Sequence, residues 1–93
     1  MNINTEQLKA LLGSEEAAQR FVKMFLENLP QQLSTLRKSL AESNWEMASI
    51  TAHGLKSQFK YMGLDKEAEL MQQLENEPES DQAMAWLGEM RDE

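Results

Sequence analysis

Residues 15–42 read EEAAQRFVKMFLENLPQQLSTLRKSLAE, and this stretch decides the fold class. Phe21, Phe25, Leu29, Leu33, Leu36 and Leu40 recur at helical steps, with Val22 and Leu26 alongside. That spacing lays a wide apolar stripe along one face of an α-helix. Ser14 is a good N-cap, and Glu15 and Glu16 place anions in the first turn, where the helix dipole favours them. Pro30 falls inside the run. It removes one backbone hydrogen bond and crowds the carbonyl of Leu26. The stripe nevertheless stays in phase across Pro30, so a kink within one long helix is expected rather than a break.

Working outward, a short helix is expected from Thr5 to Leu12, capped by Asn4 and stopped by Gly13, with Leu8, Leu11 and Leu12 as its apolar edge. A third helix starts at Ser43-Asn44-Trp45-Glu46, where Ser43 and Glu46 have the spacing of a capping box. It ends near Met62, before Gly63, and buries Ala48, Ala52, Leu55, Phe59 and Met62. A fourth runs from Asp65 to Asn76 with Leu70, Met71 and Leu74 inward, broken by Glu77-Pro78. A fifth runs from Ser80 to Arg91 with Ala83, Met84, Leu87 and Met90 inward. Met24, Met47, Met62, Met71, Met84 and Met90 read as adaptable core filling. No segment alternates with the period of a strand. Short connections between amphipathic helices make neighbours antiparallel. The expected fold is all-α: an antiparallel up-down four-helix bundle with a short extra N-terminal helix across one end, as a single domain over residues 1–93.

Composition narrows the function. The 93 residues carry a formal charge of −7, no cysteine and one histidine. The absence of cysteine leaves no disulfide framework or thiolate metal site, and one histidine cannot build a His-rich one. The acidic balance argues against nucleic acid and against an anionic membrane surface. No run approaches the ~20 apolar residues of a membrane span. Met1-Asn2-Ile3-Asn4 lacks the layout of a signal peptide. A cytoplasmic monomer is the expectation, and Met1 with a complete set of helices favours a free-standing protein. The charge is uneven. Residues 1–64 hold seven basic and six acidic groups, whereas residues 65–93 hold two basic and ten acidic groups. The last two helices therefore present an acidic, solvated surface.

The single histidine, His53, lies mid-way along the third helix. At ~100° per residue it falls roughly 140° from the centre of the apolar stripe, on the outer side. Lys56, Ser57 and Lys60 follow on that side, and Ser49 and Ile50 precede it by one turn. Gly54, beside it, costs up to about 1 kcal/mol against alanine in a helix interior. This face reads either as an ordinary solvated surface or as space kept open for a partner. No carboxylate stands one helical step from His53 along its own helix, and Ser57 has neither an acid nor an oxyanion nest with which to complete a triad. What remains is an exposed ring nitrogen among cations, suited to carrying an anionic group.

Ala52-His53-Gly54-Leu55-Lys56-Ser57, followed by Tyr61-Met62-Gly63-Leu64, resembles the histidine-containing phosphotransfer (HPt) domain family. That family's pattern is Ala-His-x-Leu-Lys-Gly, then a glycine ten residues after the histidine. His53, Lys56 and Gly63 fall at matching positions. The long second helix, the polar turn Glu42-Ser43-Asn44-Trp45, and Ala68, Leu70 and Leu74-Glu75 agree in kind, so the resemblance spans nearly the whole chain. Ser57 departs from the pattern's glycine; it is still small enough for a partner to approach, and its hydroxyl has the chemistry to donate to a phosphate.

The resemblance implies a phosphoryl carrier without ATP, metal or other cofactor of its own, with Mg²⁺ supplied by the partner. His53 is then the acceptor, through the outward Nε2, Lys56 stabilises the phosphoryl charge, and Lys60 is a second cation. Ile50, Gly54, Ser57, Tyr61 and Gly63 are the docking candidates, with Gly63 shaping the helix end. The implied partners are a response-regulator receiver domain, a hybrid histidine kinase, or both. The alternative is a helical adaptor that binds such a partner without using its histidine.

Overall fold

The stripe that begins at Phe21 does build one long helix. The computed structural model describes residues 2–92, and its elements are α1 (Thr5–Leu12), α2 (Glu15–Ala41), α3 (Trp45–Tyr61), α4 (Asp65–Asn76) and α5 (Ala83–Gly88), followed by a 3₁₀ segment, Glu89–Asp92. Among the described residues there is no strand. No described helix is long and apolar enough to cross a membrane.

Leu8, Phe25, Leu29, Leu36, Leu40, Leu55, Phe59, Met62, Met71, Leu74 and Leu87 form one buried cluster fed by all five helices. Phe25 and Phe59 meet edge to face across α2 and α3, with ring centroids 5.4 Å apart. That arrangement suits the aromatic quadrupole. The most extensive packing is between α3 and α4, with α2 against α3 next. α2 runs through Pro30 unbroken. Pro30 and Leu26 are both exposed, which lets water serve the carbonyl that proline leaves unpaired.

The helix ends explain several departures from the sequence expectation. Ser43 is not the N-cap of α3. It has φ 57°, and its N–H donates to the Leu40 carbonyl while the Asn44 N–H donates to the Ser39 carbonyl. That pattern is the left-handed C-terminal stop of α2. Asn44 takes over the cap instead, its side chain accepting from the Met47 N–H at 3.2 Å. The fifth helix is also shorter than expected. Ser80 sits in a turn, with its hydroxyl accepting from the Gln82 N–H, and the α-helix starts only at Ala83. Asn4 caps α1 and Gly13 ends it at φ 90°, as expected, but Leu11 and Leu12 are exposed and only Leu8 of that helix is buried. The methionines divide: Met62, Met71 and Met90 are core, whereas Met24, Met47 and Met84 face solvent.

Gly63 shows why the N-terminal segment matters to α3. Its φ of 72° is left-handed, and an added Cβ would stand 2.8 Å from Asn4 Cβ. The close approach lets the Asn4 N–H reach the Met62 carbonyl at 2.8 Å, and Gln7 Nε2 donate to the Lys60 and Tyr61 carbonyls. Carbonyls orphaned at the end of α3 are thus satisfied by the chain that precedes α2.

Candidate functional site

α3 buries Ala48, Ala52, Leu55 and Phe59. That choice of face turns His53 outward, and its side chain is 59% exposed. α4 lies alongside and buries Ala68, Leu70, Met71 and Leu74. Its neighbouring positions Gln72 and Glu75 then point along the α3 surface. The result is a polar seam between the two helices. His53 Nδ1 is 3.0 Å from Glu75 Oε2, and Lys56 Nζ donates to Glu75 Oε1 at 2.7 Å and to Gln72 Oε1 at 3.0 Å. Gln72 is braced in turn by Asn76, and the Ser49 hydroxyl donates to the Glu75 carbonyl at 2.9 Å.

Glu75 is the residue that reading α3 alone does not find. No carboxylate stands one step from His53 on its own helix, yet one arrives from α4. The available signal was the run Gln72-Gln73-Leu74-Glu75-Asn76, whose polar members flank the buried Leu74 on a helix that packs against α3. Lys56 is likewise less exposed than expected, with only 12% of its side chain accessible. Its stem packs in the seam while the ammonium pairs with Glu75.

These contacts set the protonation of the site. The Lys56 hydrogen bond holds the Glu75 carboxyl below its ordinary value; partial burial opposes that effect, and His53 adds to the lowering. At neutral pH Glu75 is therefore ionised and only accepts. The proton in the contact then belongs to the imidazole: His53 Nδ1–H donates to Glu75 Oε2. In a neutral ring this leaves the lone pair on Nε2. The same shift gives a stability prediction. A carboxyl with a depressed folded-state value stabilises the fold above its unfolded value, about 4.3, and loses that contribution as pH falls through the folded value. Glu75→Gln is expected to unfold at lower urea concentration than the parent at pH 7. The gap should narrow on acidification below about pH 4.3; a gap independent of pH would contradict the pairing.

The other candidate residues fall in three places. Lys60 is exposed, seven residues beyond His53. Ile50 and Tyr61 are exposed on the same side as Gly54, and Tyr61 meets Phe21 of α2 edge to face at 6.2 Å. Met24 of α2 and Met47 of α3 are exposed as well. Ser57 donates to the His53 carbonyl at 3.3 Å, bonding back along its own helix. Gly63 packs under Asn4 and belongs to the helix end rather than to the open face.

A family model described as "Hpt domain" matches residues 20–93, a span that takes in His53, Lys56 and Glu75. The chain belongs to the Hpt domain family. Comparison with curated proteins and with solved structures returns no match. Hpt domains serve histidine phosphotransfer in phosphorelays and interact with receiver domains and kinases. The helical architecture here is consistent with an Hpt bundle. The Hpt match begins after α1 and the first turns of α2, so the segment that closes the end of α3 lies outside it.

Gly54 gains a meaning in an Hpt domain. A Cβ added there meets nothing within 4 Å, so packing does not require the glycine. Gly54→Ala is expected to stabilise the fold by about 0.5–1 kcal/mol. If a partner's surface uses the space, the same change slows phosphotransfer. Unchanged transfer in the stabilised variant would show that no partner atom comes close at this position.

Proposed function

We propose that this Hpt domain is a phosphorelay intermediate that carries its phosphoryl group on His53 Nε2. The observation that carries the reading is the contact between His53 Nδ1 and the ionised Glu75. It orients an exposed ring and leaves the outward nitrogen as the nucleophile. The Nε2 lone pair attacks the phosphorus of a receiver's aspartyl phosphate in line. The N–P bond forms as the P–O bond breaks, and the electron pair leaves with the aspartate carboxylate. The Nδ1 proton stays on the ring, and Glu75 offsets the positive charge that develops there. Return of the phosphoryl group to a second receiver reverses the step.

Lys56 supplies positive charge to the site and holds Glu75 in place, with Lys60 as the more distant cation. The chain itself brings no cofactor; Mg²⁺ belongs to the partner's acidic pocket. The partners are a response-regulator receiver domain, a hybrid histidine kinase, or both. They dock over Ile50, Gly54, Ser57 and Tyr61, with Met24 and Met47 extending the apolar margin. The working frame is an antiparallel bundle of α2–α5 with α1 across one end, a cytoplasmic setting, and a small interface suited to fast exchange. Incubation with phosphorylated receiver domains is expected to move an acid-labile, alkali-stable label onto this chain. No transfer from any of a panel of receivers and hybrid kinases would overturn the proposal.

A further inference from the structure

A groove of about 480 Å³ runs between α1 and α2, on helices that carry neither His53 nor Glu75. Ala18, Val22 and Leu26 give it an apolar lining along α2, and Thr5, Glu6 and Lys9 of α1 line the other wall. Leu26 is 49% exposed, an unusual position for a leucine on the helix that carries the main core stripe. Glu15 and Lys23 also line the groove on the α2 side. They lie on either side of Gln19, each four residues away, which is about 6 Å along the helix.

The charges on this face are arranged with a symmetry. Glu16 and Arg20, one step around the helix, pair with each other at 2.7 Å. Glu15 and Lys23 are too far apart along α2 to do so, and among the described residues neither forms an ion pair. A two-fold axis through Gln19 that sets two copies of α2 antiparallel brings Glu15 of each copy to Lys23 of the other. The same operation carries the exposed Leu26 toward the α1–α2 turn of the other copy, where Leu11 and Leu12 are exposed. An isologous interface requires this kind of self-complementarity. The ten acidic residues from Asp65 onward contribute none of the groove's lining, so most of the net charge of −7 lies outside the contact.

We infer that the α1–α2 groove is a self-association surface on which a second copy of this chain docks antiparallel, with Glu15 and Lys23 paired across the two-fold axis. The interface is modest, and its ion pairs lie at the rim, so the dimer is weak and salt-sensitive. His53, on α3, stays open to a phosphorelay partner in both copies.

Sedimentation equilibrium on the full chain at concentrations up to about 1 mM tests this. The parent is expected to show a reversible dimer that weakens as salt is raised. E15K and K23E, each alone, place like charges across the axis and are expected to lower dimer formation at least about tenfold. Mixing the two single variants restores opposite charges at both contacts, so the mixture is expected to associate as a heterodimer where neither variant does alone. The E15K/K23E double variant is expected to dimerise like the parent. A chain that stays monomeric throughout the range overturns the inference. A dimer unaffected by either single variant, or variants that fail to rescue each other on mixing, also overturns it. Circular dichroism of each variant confirms the helical content against which the comparison is made.

Discussion

His53→Gln is expected to reduce label transfer from a phosphorylated receiver domain to background, a loss of at least about 10³-fold. The size of the effect follows from the chemistry. The amide has no nucleophilic lone pair to replace the imidazole nitrogen, and no second histidine exists in the chain. The substitution should leave the fold intact, because the His53 side chain is exposed and, among the described residues, its side-chain hydrogen bond is to Glu75. A folded His53→Gln protein that still takes up label would place the acceptor elsewhere and contradict the proposed role.

The second large effect is expected at Glu75. Glu75→Ala removes the acceptor beneath Nδ1 and frees the ring to rotate and to place its proton on Nε2, where it blocks attack. Removing the carboxylate that orients a metal-bound imidazole costs about 10–100-fold, and a similar orienting role is expected here. Transfer should fall by about that much. The change also leaves the Lys56 ammonium, largely covered, with Gln72 as its one remaining partner among the described residues. Stability should drop by about 1–3 kcal/mol. Glu75→Gln separates the two consequences. Its amide oxygen still accepts from Nδ1–H and keeps the ring oriented, so transfer falls less than in Glu75→Ala, while the charge offset and the ion pair with Lys56 are lost. Imidazole ¹⁵N shifts distinguish the two ring tautomers, and single-turnover kinetics report the rate. If Glu75→Ala is folded and transfers at the parent rate, the carboxylate does not position the ring.

The part of this site carried by α3 was legible in the sequence because helical phase is a local property. The outward position of His53 follows from the alternation of Ala48, Ala52, Leu55 and Phe59 against it, and the bounds of α1 and α4 follow from Asn4, Gly13 and the Glu77-Pro78 break. Glu75 and the partial burial of Lys56 depend on how α4 lies against α3, which no pattern within either helix specifies. The same limit explains the methionines. Met62 and Met71 follow their helices' apolar stripes into the core, whereas Met24 and Met47 are left exposed. Ser43 departs from the capping-box expectation for a different reason. The Ser-x-x-Glu spacing is that of a capping box, but the end of α2 takes Ser43 first, in a left-handed conformation usually given to glycine, and the cap moves one residue on to Asn44.

The two faces of the chain lead to separable expectations. Under the proposed function the α3–α4 seam carries the chemistry, and its variants should alter transfer whatever the oligomeric state. Under the inferred dimer the α1–α2 groove carries association, and its charge reversals should alter mass without changing the ring contacts of His53. The central claim rests on which atom holds the phosphoryl group. Nuclear magnetic resonance of the ¹⁵N-histidine-labelled protein, phosphorylated by a receiver domain, reads that atom directly. The account predicts a single phosphohistidine, with phosphorus on Nε2 of His53 and the proton retained on Nδ1. Phosphorus on Nδ1, or on any residue other than His53, would contradict it.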